Sequence, residues 1–186
     1  MKDLVAKKCI KDDASVLKKL IQSRRPGHTN EVEVTLKNFY NYNYVGQISV
    51  GNPAQVFNTI FDSGSTNFWT LSTLAGSPRV CNHVNNAFDP KLSSSYSPTN
   101  LACEVVFGSG SLQGFFAKDD VTIGVHGMGP DGVIRDKIVV KNQAFGLMTA
   151  ESVLDDTFDC ICGLAYPSMA NTGAINGTPL FDSMMQ

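Results

Sequence analysis

Hydrophobic and polar positions fall into two textures that meet near residue 30. Between residues 10 and 25, Ile10, Ala14, Leu17, Leu20 and Ile21 recur near helical spacing. Asp12 and Asp13 stand at the amino end of this stretch and Arg24 and Arg25 at its other end, where each charge complements the helix dipole. Pro26-Gly27 ends it. Beyond Glu31 the apolar runs shorten. Val32–Leu36 alternates as a strand does, and Tyr44–Val50 reads as a second strand closed by a Gly51-Asn52-Pro53 turn. Further strands are expected at Val56–Phe61, Glu104–Phe107, Gly114–Phe116, Val121–Ile123, Ile138–Val140 and Phe158–Leu164. Only Pro179–Gln186 looks helical again. Many short strands broken by Gly, Asn and Pro predict an all-β body, sandwich-like or barrel-like, with no internal repeat.

Charge divides at the same place. Residues 1–28 hold eight Lys/Arg against three Asp, and the remainder holds seven against fourteen Asp/Glu. The chain is a basic leader on an acidic body, which its net charge of −2 conceals. An acidic body argues against a nucleic-acid partner, because phosphate binding needs a positive face. No apolar run approaches the roughly 18 residues of a membrane span, so no membrane partner is expected. At 186 residues and 42% hydrophobic composition the chain can bury a real core. The start, Met-Lys-Asp-Leu, shows no signal peptide; a secreted protein would have its signal upstream or removed.

Five cysteines leave one unpaired within the chain. Cys81 and Cys103 flank a Ser/Asn/Pro-rich stretch and could bridge. Cys160 and Cys162 sit two apart, on one face if extended, which disfavours a bond between them; buried free thiols are the plain alternative. A single C-x-C is no zinc site, and His28, His83 and His126 lie near no ligand partner. No metal or cofactor is expected.

The chemistry concentrates at Ile60-Phe61-Asp62-Ser63-Gly64-Ser65-Thr66, where an apolar strand delivers a carboxylate into a tight turn lined by hydroxyls. Alone, Asp-[Ser/Thr]-Gly arises in roughly one chain in ten of this length, and a plain hairpin turn explains it as well. Its surroundings decide. Tyr44-Val45-Gly46-Gln47-Ile48-Ser49-Val50-Gly51-Asn52-Pro53-Ala54-Gln55 precedes it, and Ser65-Thr66-Asn67-Phe68-Trp69 completes it. Phe88-Asp89-Pro90, Ser93-Ser94-Ser95-Tyr96, Phe107-Gly108-Ser109-Gly110-Ser111-Leu112-Gln113-Gly114 and Phe158-Asp159-Cys160-Ile161-Cys162-Gly163-Leu164-Ala165-Tyr166-Pro167-Ser168 follow in order. This succession resembles the pepsin-like aspartic protease family over residues 35–186. The glycine-rich stretch is not a phosphate loop, since its last Gly is one residue too far, no Lys follows and the next segment is strand-like.

The resemblance implies a basic pro-segment over 1–30, partly helical, and an amino-terminal lobe over 31–186. By the same resemblance Asp62 is the first catalytic aspartate, Ser63 and Gly64 shape its loop, and Ser65 bonds the carboxylate from outside. Residues 104–116 are the flap hairpin, with Phe107, Gly108, Ser109 and Gly110 near its tip. Trp69 packs under the flap, Ile161 walls the main substrate pocket, and Gly163 belongs to a loop beneath Asp62. For Trp69 and Ile161 core packing is the plain alternative. The departures are Phe107 where the family has a flap Tyr, Cys160 for a Gly and Cys162 for an aliphatic residue. A second Asp-[Thr/Ser]-Gly is also absent. Two carboxylates sharing a proton are needed, one as base and one as acid. The expectation is an acid endopeptidase zymogen, secreted or lysosomal/vacuolar, whose second lobe lies beyond these residues, with peptide as substrate and the pro-segment as internal inhibitor. The sequon Asn176-Gly177-Thr178 is consistent with secretion. By itself the chain should be inactive. A homodimer pairing two copies of Asp62 and a non-enzymatic protein that keeps the cleft are the alternatives.

Overall fold

The computed structural model describes residues 32, 34–74, 86–107, 110–124, 127–128, 134–135, 137–151, 157–170 and 177–186. All belong to one compact unit running from Val32 to Gln186. Of Val106, Phe107 and Gly110 only the backbone is described. The helix expected over 10–25 lies outside the described residues, as do the three histidines.

Strands dominate. In chain order they are β1 (Lys37–Phe39), β2 (Asn43–Val50), β3 (Gln55–Asp62), β4 (Phe68–Leu71), β5 (Ser97–Phe107) and β6 (Gly110–Ile123). They continue as β7 (Gly127–Met128), β8 (Ile134–Arg135), β9 (Ile138–Glu151) and β10 (Cys160–Gly163), before a short helix, α1 (Leu180–Met184). Eight of the strands form one sheet in the order β1-β2-β3-β10-β4-β9-β6-β5, while β7 and β8 pair separately. A further pairing of β2 with β6, Ile48 to Val50 against Ile123 to Val121, closes six strands into a ring. Closure removes two edges that would otherwise expose unpaired backbone groups. The sheet is mixed, with β3–β10 and β4–β9 parallel and the other pairs antiparallel.

Two cores lie on opposite faces of the strands. Along β10, Cys160 and Cys162 point into a cluster with Phe57, Phe68, Phe88, Phe145 and Leu147, and Ile161 points the other way. Ile161 joins Val45, Trp69, Leu71, Leu112, Phe116 and Met148. All four residues of β4 and all four of β10 are buried, as strands covered on both faces must be. Each large side chain so buried is worth about 1.5–3 kcal/mol of transfer free energy. Leu180 of α1, fully buried, plugs the first cluster, and the helical tail stands where its pattern placed it.

Of the strand expected over Val32–Leu36, the described residues Val32, Val34, Thr35 and Leu36 form no ladder, and among the described residues pairing begins at Lys37, opposite Val45. The side chains of Val34 and Leu36 instead lie over the bare Cα of Gly46, in space that a Cβ there would occupy. Packing across the glycine takes the place of a ladder. Elsewhere the expected strands merge. Gly114–Phe116 and Val121–Ile123 are parts of the single fourteen-residue β6, and Ile138–Val140 begins the equally long β9. Among the described residues no helix is long and apolar enough to cross a membrane.

Candidate active site

Strand β3 ends on Asp62, and the chain turns at once through Ser63 and Gly64. The turn folds back on the carboxylate. Gly64 N–H donates to Oδ1 at 2.8 Å, and Ser65 Oγ–H donates to Oδ2 at 2.6 Å. Each oxygen therefore holds one donor from its own loop, a charge-assisted arrangement that fixes the plane of the group. Asp62 itself is half-buried, Ser65 likewise, and Ser63 and Gly64 are exposed.

A second loop, following β10, braces the first from behind. Gly163 N–H donates to Asn67 O at 3.0 Å, Leu164 N–H to Asp62 O at 2.8 Å, and Ala165 N–H to Ser65 O at 2.8 Å. Thr66 Oγ1–H closes the set on Tyr166 O at 3.0 Å. Such close approach needs Gly163, because a Cβ there would lie 2.5 Å from Thr66 N and 2.6 Å from Ser65 C. Thr66, Asn67, Ala165 and Tyr166 were not singled out from sequence, although all four stand inside the motifs quoted for the resemblance.

The hairpin of β5 and β6 runs in register from Cys103 opposite Gly114 to Phe107 opposite Gly110. Gly108 and Ser109 at its tip lie outside the described residues. Along β6, Leu112 and Phe116 share a cluster with Trp69, whose ring lies 6.0 Å from that of Phe116. Trp69 and Ile161 face each other in register across β4 and β10, 2% and 9% exposed. A space of about 10 Å³ lies among Trp69, Ile161, Leu112, Met148 and Asp159, and both side chains belong to the second core cluster. A shallow groove of about 440 Å³ on the outer face of the hairpin, between Glu104, Gln113, Phe115 and Thr149, touches neither Asp62 nor Trp69 nor Ile161.

Cys103 is buried with a free thiol, and Cys81, the partner the sequence allows it, lies outside the described residues. Cys160 and Cys162 are also buried and free. Burial pushes the Cys103 thiol up to about 11 and Cys162 to about 12. Cys160 is driven higher still, chiefly by burial, although its hydrogen bond with Thr70 Oγ1 at 3.1 Å lowers it somewhat. Among the described residues, no three His, Cys, Asp or Glu side chains gather as a metal would require.

A closed mixed barrel, a carboxylate held in a Ser-Gly-Ser turn and a long β5–β6 hairpin are the features of a pepsin-like amino-terminal lobe. The family model of eukaryotic aspartyl protease matches residues 43–186. Pepsin A of Rhinolophus ferrumequinum is 40% identical over 152 residues, covering 80% of this chain and 35% of that protein. Pepsin A of Canis lupus familiaris is 39% identical over 153 residues, 81% of this chain and 35% of that protein. Cathepsin E-B of Xenopus laevis is 39% identical over 153 residues, 81% of this chain and 34% of that protein. The chain belongs to the eukaryotic aspartyl protease family, and it spans about a third of the length of the curated relatives it matches.

Proposed function

We propose that this chain is the pro-segment and amino-terminal lobe of an aspartic endopeptidase that hydrolyses peptide bonds in acid, with Asp62 as one of its two catalytic carboxylates. The observation that carries the reading is the hold on Asp62. Both of its oxygens take a donor from the turn, and the turn is braced by a second loop. A half-buried carboxylate kept in one plane is suited to bind and orient water. Peptide would lie between Asp62 and the β5–β6 hairpin.

The partner carboxylate comes from a second lobe of the same protein, since these residues contain a single Asp-[Ser/Thr]-Gly. With one proton shared between the two, the ionised group takes a proton from water as that water attacks the peptide carbonyl. The protonated group donates to the carbonyl oxygen. Residues 1–30, rich in Lys and Arg, act as an internal inhibitor until acid releases them, and the mature enzyme works in a secreted or lysosomal/vacuolar compartment.

The test is Asp62→Asn in the full-length natural protein. Turnover of a peptide substrate at pH 4 is expected to fall by several orders of magnitude while the circular dichroism stays that of the parent. Near-normal turnover would remove Asp62 from the reaction. The 186-residue chain alone is expected to leave peptide uncut, and cleavage by a purified monomer would refute the need for a second carboxylate.

A further inference from the structure

Asp159 is an acid with no part in the chemistry above, yet it is only 3% exposed. It lies immediately before β10, where that strand enters between β3 and β4. Its backbone N–H donates to Asn58 O at 2.7 Å, and its Oδ2 accepts the Asn58 N–H at 2.9 Å. Asn86 Nδ2 reaches the same oxygen at 3.5 Å. On the other side Leu71 N–H donates to Asp159 O at 3.4 Å. One residue thus grips both polar backbone groups of Asn58 while touching β4 and the segment at Asn86.

Register follows from that grip. Strand β10 pairs Cys160 with Thr59, Ile161 with Ile60, Cys162 with Phe61 and Gly163 with Asp62. Holding 159 against 58 holds 163 against 62. A slip of one residue would turn every side chain of β10 to the opposite face. It would also set a side chain where only the glycine fits against Thr66 and Ser65.

We propose that Asp159 is a positioning residue for Asp62. It sets the register of β10 and, about 13 Å along four buried residues, holds the Gly163–Tyr166 loop against the loop of Asp62. The consequence for peptide hydrolysis rests on the function proposed above; the positioning role does not.

Burial raises the Asp159 carboxyl above its ordinary range, with smaller lowering from the hydrogen bonds of Asn58 and Asn86. Around it Asn58 comes from β3, Thr70 and Leu71 from β4, Leu112 from β6, Met148 from β9, and Asn86 from the segment before Phe88. None of these is charged, and the Cys160 thiol is the titratable neighbour among the described residues. A carboxyl raised in the folded state contributes stability that is present in acid and is lost as pH rises through the folded value. The cost of burying the charge is therefore absent in acid and present once the group ionises, offset in part by the Asn58 and Asn86 hydrogen bonds, which favour the ionised form.

Amide hydrogen exchange on the 186-residue chain, read residue by residue in acid and near neutrality, tests this. Asp159→Ala is expected to accelerate exchange at Gly163, Leu164 and Ala165 by about tenfold or more, with Phe116 and Leu147 exchanging as in the parent. Asp159→Asn keeps an acceptor for the Asn58 N–H. It should restore protection at those three amides and remove the dependence of stability on the ionisation of residue 159. If Asp159→Ala does not fold, Asn86→Ala removes one donor and should accelerate the same amides by a smaller factor. Parent-like protection at residues 163–165 in Asp159→Ala, or in Asn86→Ala where it stands in for that variant, overturns the proposal, as does equal acceleration throughout the barrel or failure of the asparagine to rescue.

Discussion

At the scale of single residues, the cysteines of β10 show how burial decides between chemistry and packing. Two thiols beside a candidate catalytic strand invite a nucleophilic or metal-binding role. Yet Cys160 and Cys162 are 1% and 0% exposed, on one face of the strand, among phenylalanines. The thiolate is the reactive form, and at pH 8 a thiol raised to about 12 is ionised in roughly one molecule in ten thousand. An aromatic disulfide reagent at pH 8 should label both only as fast as the barrel opens, at a rate independent of reagent concentration. Labelling that scales with reagent in the native state would show that the thiols are open to solvent. Asp62 stands at the other extreme, half-buried with both oxygens engaged, and its turn is short enough that contiguous residues supply every donor. That is why the turn could be read directly from Asp62-Ser63-Gly64-Ser65.

At the scale of elements, legibility in the sequence falls with the distance between partners. The hairpin of β5 and β6 joins residues close in the chain, and its glycines announced it. The brace behind Asp62 joins Thr66 to Tyr166, 100 residues on, and Asp159 reaches back 101 residues to Asn58. No local pattern encodes such pairs. Strand β4 was missed for a different reason. Buried on both faces, Phe68-Trp69-Thr70-Leu71 lacks the alternation that marks a half-exposed strand. Its neighbour β9 holds a related constraint at Gly146. A Cβ there would overlap Cε3 and Cζ3 of the Trp69 indole, so the ring packs directly on the glycine backbone. Gly146→Ala should push the ring aside at a cost of about 1–3 kcal/mol. Trp69 is the one tryptophan of the chain, so its emission should shift to the red as the unfolding midpoint falls. Emission and midpoint both unchanged would mean that β4 and β9 can part without strain.

At the scale of the whole molecule, the barrel and the basic leader carry opposite charge. Residues 1–28 amount to +5 and the rest of the chain to −7, a division visible in the sequence before any element is assigned. Opposite charges of this size attract at neutral pH, when the carboxylates of the body are ionised. As pH falls toward 4 the carboxylates take up protons, while the Lys and Arg of the leader keep their charge. The attraction therefore weakens in acid, the direction an acid-activated protease requires. Salt should act the same way, since exposed charges are screened over about 8–10 Å at physiological ionic strength. If the leader acts as the internal inhibitor proposed above, Lys18, Lys19, Arg24 and Arg25 are the candidates to pair with Asp62, and a solvated helix with no such role is the alternative. The two are separated by cutting the chain near His28 and following the released peptide by size-exclusion chromatography. Residues 1–28 should remain with the body at pH 7 in low salt, leave it at pH 4, and leave it at pH 7 when the salt is raised. A peptide that departs equally under all three conditions was never held by charge, and one that stays bound at pH 4 is held by apolar packing instead.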